Sequence, residues 1–96
     1  MDDINELNMN KKLYLELKNK IISALQNLNN AKTYINNAKI EYTDAYIGNG
    51  AKKHIAEMEE MVAQIDTTIN TLEMEMLPEV NKKIISIDNN LSQNNL

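Results

Sequence analysis

The chain has 96 residues, a formal net charge of -4 and a pI of about 4.9. A chain of this length forms one small domain with a modest core, so we expect a partner to supply part of the buried surface and no room for an enzyme cleft. The acidic balance provides no basic surface for a phosphate backbone or an anionic membrane, which argues against nucleic acid as a ligand. Cysteine is absent, and this excludes disulfide bonds, thiol catalysis and thiolate metal sites.

The amino-terminal segment, residues 1–6, is acidic and polar. It has neither the basic region nor the apolar region of a secretory signal peptide. No run in the sequence approaches the ~18 apolar residues of a membrane span. We therefore expect a cytoplasmic protein which, if it leaves the cell, uses a route other than general secretion.

A long helix is predicted from about residue 4 to residue 45. Asp2 or Asp3 marks its start, and Glu6 completes the spacing of a capping box with Asp3. Apolar or small residues then recur at alternating steps of three and four, which is the heptad pattern of a helix that packs along one seam. This stripe consists of Leu7, Tyr14, Leu17, Ile21, Ala24, Leu28, Ala31, Ile35, Ala38, Tyr42 and Ala45.

The segment from residue 46 to residue 50 is predicted to be a bend. It contains both glycines of the chain, Gly48 and Gly50. Glycine enters left-handed backbone conformations without steric cost, and at least Gly48 is expected to use this freedom. The ring of Tyr46 is expected to pack against the bend and to orient the second helix.

A second helix is predicted from about residue 50 to residue 91, followed by a frayed polar tail at residues 92–96. Its stripe keeps steps of three or four across Pro78, so we interpret Pro78 as a kink within one helix. The alternative is a break, with a separate short helix that starts at Glu79. The residues of this stripe are Ala51, Ile55, Met58, Val62, Ile65, Ile69, Leu72, Met76, Val80, Ile84, Ile87 and Leu91.

The fold class that these patterns predict is all-α: an antiparallel, coiled-coil-like hairpin of two helices. A lone hairpin buries one side of each helix, so we expect it to complete a four-helix bundle with a partner or with a second copy. The predicted docking surface consists of apolar positions outside the main stripes: Leu13, Ile22, Leu25, Ile40, Met61, Met74, Leu77 and Ile85. For the methionines among them, ordinary core filling is the alternative.

Charged residues favour the pairing of the two helices. With the bend near Gly48, opposite charges come level in the following sets: Lys39 with Glu57, Lys32 with Asp66, and Lys18 and Lys20 with Glu75 and Glu79. Exposed ion pairs contribute well under ~1 kcal/mol each, so they would select the register without holding it. Two solvated faces with unrelated charges are the alternative.

Residues that could carry out catalysis are scarce. His54 stands three residues before Glu57, but a metal ion or a general base normally needs more converging groups than these two. The segment from Gly48 to Gly50 lacks the Lys and Ser/Thr that follow the glycines of a phosphate-binding loop. We therefore expect no enzyme activity, no cofactor, no metal site and no small-molecule ligand.

The bend carries a resemblance to a known family. Tyr46-x-Gly48, followed by a small residue and an amphipathic helix, resembles the Trp-x-Gly turn of the WXG family of small type VII secretion proteins, which fold as helical hairpins. Tyr46 stands in the place of the family's Trp, and His54 or Ile55 in the place of its usual Phe. The chain looks closer to the WXG-like partners encoded beside LXG-type toxins of Gram-positive bacteria.

This resemblance implies a non-enzymatic protein that binds the helical amino-terminal domain of an LXG-type toxin, or another WXG-like protein, and directs it to a type VII system. Whether the protein is exported with its partner stays open, as does a homodimer. Family members often carry an export signal of the form aromatic-x-x-x-acid, whose nearest form here is Ile84-x-x-x-Asp88; a seam residue beside a solvated acid is the alternative. A different class of function, a cytoplasmic coiled-coil adaptor unrelated to secretion, also fits.

Overall fold

The chain folds as an extended antiparallel helical hairpin in the residues that the computed structural model describes, 2–45 and 48–94. Helix α1 spans Asp2–Ala45. The returning arm consists of α2 (Asn49–Thr71), a π-helical turn (Leu72–Met76) and α3 (Leu77–Asn94). The Cα atoms extend over 71 × 16 × 15 Å, and no strand occurs in these residues. The predicted all-α hairpin is confirmed, while its completion to a four-helix bundle stays a prediction.

A single apolar seam between the two arms forms the core. The most buried residues in the described ranges are Ile21, Ala51, Ile69, Val80, Ile84 and Ile87, and none of the buried residues there is polar. Ile21, Val80 and Ile84 form a cluster, against which Tyr14, Leu25, Leu72 and Leu77 pack. This core cluster lies in the half of the hairpin that is remote from the bend.

Gly48 occupies the conformation that the bend requires. Its φ is 128° and its ψ is -176°, a positive φ that residues with a Cβ atom rarely adopt. Its carbonyl accepts a hydrogen bond from the Lys52 N–H at 3.1 Å, which begins α2. Gly50 lies in the first turn of α2 without a positive φ, so the bend does not depend on the second glycine. Tyr46 lies outside the described residues, and its packing stays a prediction.

The returning arm passes Pro78 through a widened helical turn. The Leu77 N–H donates to the carbonyl of Leu72, five residues earlier, where an α-helix would use the residue four earlier. A proline ring clashes with the carbonyl four residues before it and offers that carbonyl no N–H donor, and the additional residue in the widened turn relieves this clash. The arm therefore stays helical across Pro78, and the alternative of a separate helix that starts at Glu79 is wrong.

The π-helical turn also changes which residues face the seam. The sequence predicts Leu72, Met76 and Val80 in steps of four. In the structure Leu77 takes the place of Met76, because five residues complete this turn. Leu77 packs against the core cluster, whereas Met76 is 42% exposed.

The last turns of α3 lie beside the first turns of α1. Helix α3 continues to Asn94, beyond the predicted end at residue 91. Its residues Gln93 and Asn94 line a depression together with Glu6 and Asn10 of α1. Residues 92–94 are thus helical in the structure, and the fraying of this tail stays a prediction. Residues 95 and 96 lie outside the described ranges.

Ion pairs across the seam define the register of the two arms. Lys32 Nζ lies 2.7 Å from Asp66 Oδ1, which confirms the predicted pair. Lys39 Nζ lies 3.8 Å from Glu59 Oε1, so Lys39 pairs with Glu59 and not with the predicted Glu57. At the open end, Lys11 Nζ lies 2.7 Å from Asp88 Oδ1. All three pairs are substantially exposed, so they fix the alignment of the arms more than they stabilise the fold.

The two glycines are expected to respond oppositely to alanine. Gly48→Ala should lower the free energy of unfolding by ~1 kcal/mol or more, because a Cβ atom disfavours the positive φ, although no atom lies close enough to clash with it. Gly50→Ala should leave stability unchanged or raise it by up to ~1 kcal/mol, because alanine favours the helix. Urea unfolding followed by circular dichroism measures both, and equal effects would show that the bend does not require a glycine.

The phase shift at the π-helical turn predicts unequal roles for two neighbouring apolar residues. Leu77→Ala should cost ~2 kcal/mol of stability because it opens a void beside the core cluster, and Met76→Ala should cost under ~1 kcal/mol because Met76 is partly exposed. The same unfolding measurement compares them. A larger loss for Met76→Ala would indicate an unbroken α-helical phase through this region.

Candidate docking surface

The seam divides the surface of the hairpin into two flanks, which the periodicity of α1 distinguishes. The seam positions of α1 that recur every seven residues are Leu7, Tyr14, Ile21, Leu28, Ile35 and Tyr42. The residue four after one of these positions lies ~40° to one side, and the residue three after it lies ~60° to the other side. The α1 lysines that pair with the returning arm all follow seam residues by four: Lys11 after Leu7, Lys32 after Leu28, and Lys39 after Ile35. We call this side of the hairpin the ion-pair flank.

The opposite side, which we call the groove flank, carries depressions in place of ion pairs. Its α1 residues follow seam residues by three and are mostly alanines: Leu17, Ala24, Ala31, Ala38 and Ala45. An alanine side chain is a single methyl group, so the space between the arms stays partly unfilled on this side. Within residues 2–45 and 48–94, four depressions lie along it, one after another from the open end to the bend.

The most apolar of these depressions lies beside the π-helical turn. Its volume is about 330 Å³, and it is lined by Tyr14 and Leu17 of α1 and by Met76 and Val80 of the returning arm. The π-helical turn supplies Met76 to this wall, because it moves the side chain out of the seam. Charged residues complete the lining: Glu75, Glu79 and Lys83.

Two more apolar depressions continue the groove toward the bend. In the first, of about 290 Å³, Leu28 lies opposite Met61 and Ile65. In the second, of about 350 Å³, Ala38, Tyr42 and Ala45 lie opposite Met58, with Glu41 beside them. At the open end the groove becomes polar, since asparagines and glutamine line it. A helix placed in the groove would meet apolar side chains along the middle and the bend half.

The predicted docking residues do not share one face. Leu13, 56% exposed, and Met61, 51% exposed, lie on the groove flank. Ile22 and Ile85 each follow a buried isoleucine by one residue, which places them toward the ion-pair flank.

The other four predicted docking residues lie elsewhere. Ile40 and Met74 are exposed on the outer surfaces of the arms. Leu25 and Leu77 are partly buried and pack against the core cluster, which corrects their predicted place among the free apolar positions. Leu25 follows Ile21 by four and so turns into the contact with the other arm, and the π-helical turn rotates Leu77 inward.

The groove residues Tyr14, Leu17 and Met76 were assigned to the seam by their spacing alone, so sequence reasoning missed their exposed edge. A signal was present in the sequence. Alanine recurs at every seventh position of α1 from Ala24 to Ala45, and a run of small residues on one side of a heptad stripe indicates an underfilled flank. The side chains opposite them then stay accessible.

The predicted contacts of Lys18 and Lys20 with Glu75 and Glu79 differ from the ion pairs in the structure. Lys18 follows Tyr14 by four and lies on the ion-pair flank, whereas Glu75 and Glu79 line the groove. Neither Lys18 nor Lys20 forms an ion pair in the part of the chain that the structure describes, although Lys20, three residues after Leu17, lies on the same flank as the two glutamates.

The residues of the predicted export signal both have structural explanations. Ile84 is buried in the core cluster, and Asp88 pairs with Lys11 across the seam. These contacts account for both residues without a signal. The export role of Ile84 and Asp88 therefore stays a prediction.

His54 has a packing role at the bend end of the hairpin. Its Nδ1 lies 3.4 Å from Glu57 Oε2, and its ring meets that of Tyr42 edge-on, with the ring centroids 5.7 Å apart. In the described ranges no three His, Asp or Glu side chains come together as a metal site would require. Nor is any helix in those ranges both long and apolar enough to cross a membrane.

No protein-family model, no curated protein and no solved structure matches the chain.

Proposed function

We propose that this protein is a non-enzymatic helical-hairpin partner that binds a second helical protein along its groove flank and directs it for export through a type VII secretion system. The partner is the helical amino-terminal domain of an LXG-type toxin or another WXG-like protein. The protein acts in the cytoplasm and leaves the cell, if at all, together with this partner. The observation that carries the proposal is the row of apolar depressions along one flank.

A hairpin of two helices leaves much apolar surface uncovered. Many large apolar side chains in the described ranges are exposed: Met9, Leu13, Leu15, Leu17, Ile22, Tyr34, Ile40, Met61, Met74, Met76 and Ile85. Scattered single residues of this kind are normal, but a contiguous apolar strip is typical of a binding site. Leu17 and Met76 line one depression of the groove flank and Met61 lines the next, so these exposed apolar side chains follow one side of the hairpin.

The groove flank has the dimensions of a stable interface. The hairpin is 71 Å long and about 15 Å wide. A flank of that size offers an area on the order of 1000 Å², which is sufficient for the ~800 Å² per partner of a standard protein interface. A partner helix would lie against the alanines of α1, where small side chains permit close approach, and against methionines, whose flexible side chains adapt to its surface.

The bend supports the secretion part of the proposal. Tyr46-x-Gly48 resembles the Trp-x-Gly turn of the WXG family, and Gly48 has the positive φ of a sharp connection between two long helices. A coiled-coil adaptor unrelated to secretion would use the same groove flank with a different partner. A toxin gene or a membrane ATPase gene beside this one favours secretion.

Paired acidic substitutions test the docking surface. Leu17→Asp with Met61→Asp should abolish co-purification with the helical amino-terminal domain of an LXG-type toxin from the same organism, because binding would bury two carboxylates in an apolar groove. Ile40→Asp with Met74→Asp is the matched control, since it adds the same charge at exposed apolar residues outside the groove. Co-expression and affinity purification measure binding, and circular dichroism checks that both variants stay helical.

The secretion part has its own test. Deletion of the gene should stop export of the toxin, and the Leu17→Asp, Met61→Asp variant should not restore it. Unchanged export in the deletion strain would contradict the secretion role. Equal loss of binding in the control variant would contradict the assignment of the groove flank.

A further inference from the structure

We infer that the groove flank binds a basic amphipathic helix, one whose apolar stripe is flanked by lysine or arginine side chains, in preference to a second copy of this chain. This inference rests on the proposed function and specifies the chemistry of the partner. It follows from the way in which the hairpin distributes its charges over the two flanks.

The returning arm is strongly acidic through its middle. Between residues 57 and 79 the sequence has no lysine or arginine, and its acidic residues are Glu57, Glu59, Glu60, Asp66, Glu73, Glu75 and Glu79. On the ion-pair flank this charge is partly paired, because Lys39 and Lys32 of α1 reach Glu59 and Asp66. All three α1 lysines that form ion pairs across the seam, Lys11, Lys32 and Lys39, lie on that flank.

The charged residues of the groove flank are distributed differently. The charged residues that line its four depressions are Glu6, Glu41, Glu75, Glu79 and Lys83. In the described ranges none of these glutamates forms an ion pair. Lys20 lies on the same side of α1, three residues after Leu17, which leaves four glutamates against two lysines along the groove. A partner that covers the groove therefore meets an excess of negative charge along its rim.

The central depression shows the pattern most clearly. Its walls are apolar, formed by Tyr14, Leu17 and Met76, and Glu75 and Glu79 lie at its edge. Both carboxylates therefore lie beside the same apolar depression. Basic residues that flank the apolar stripe of a partner helix could meet them while an apolar residue of that stripe enters the depression.

A second copy of the chain fits this surface poorly. In a symmetric dimer the same patch meets itself, so the glutamate-rich rim of one copy would face that of the other. Like charges brought together at an interface disfavour association and help to exclude wrong partners. A helix with basic flanks relieves the repulsion and covers the same apolar residues.

Three synthetic helical peptides that share one apolar stripe provide the test. Their flanking positions are lysine, glutamine or glutamate, and fluorescence anisotropy measures the Kd of each for the full chain. The lysine peptide should bind at least about fivefold more tightly than the glutamine peptide, as expected for a few exposed ion pairs, and the glutamate peptide should bind most weakly. The preference should diminish as salt concentration rises.

Charge reversal at the groove should invert this order. Glu75→Lys with Glu79→Lys should bind the glutamate peptide most tightly, and Leu17→Asp should weaken binding of all three peptides. Glu60→Lys with Glu73→Lys is the matched control, because it changes the net charge equally at exposed residues outside the depressions and should keep the original order.

Two outcomes would overturn the inference. Equal binding of the three peptides would remove the preference for a basic partner, and the proposed function would stand on the co-purification result. Absence of binding by all three, or a stable homodimer of the free protein that loses its self-association in the Leu17→Asp variant, would show that a basic helix is not what covers the groove.

Discussion

The structure depends on one constraint: two long helices that pack only against each other share a single apolar seam. Every deeply buried residue in the described ranges belongs to that seam, and both flanks beside it face outward. The flanks then differ because α1 presents lysines on one side and alanines on the other. The lysines close the first flank through Asp66, Glu59 and Asp88, and the alanines leave the second open. In the function proposed above, a partner covers the open apolar groove and leaves the ion-paired flank exposed.

Heptad periodicity was sufficient to predict the two arms, the antiparallel pairing and the Lys32–Asp66 contact. Gly48 could be predicted at the bend because only glycine adopts its backbone conformation without strain. The π-helical turn could not be predicted, because Met76 and Leu77 are both apolar and the sequence permits either of them to follow Leu72 in the seam. Pro78 selects the wider turn, and this local effect determines which of the two side chains reaches the groove.

The docking surface was only partly predictable for a related reason. Apolar residues outside a stripe can be found in the sequence, but they are distributed over three sides of the hairpin, and two of them, Leu25 and Leu77, are held in the core contacts. The groove itself is formed by the edges of seam residues such as Tyr14 and Leu17, which spacing alone assigns to the interior. Its acidic rim becomes evident only when the ion pairs show which flank the α1 lysines occupy. Partner chemistry thus depends on details that a heptad pattern does not contain.

The oxidation rates of individual methionines test most directly whether a partner covers the groove flank. Met61 and Met76 line the groove, whereas Met74, 71% exposed, and Met9 are exposed outside its apolar depressions. Mild peroxide oxidation, quantified residue by residue by mass spectrometry, compares the free protein with its complex with the helical partner. If a partner covers the groove flank, it should slow the oxidation of Met61 and Met76 and leave that of Met74 and Met9 unchanged. Protection of Met74 and Met9, with Met61 and Met76 still oxidised at the rate of the free protein, would contradict this prediction.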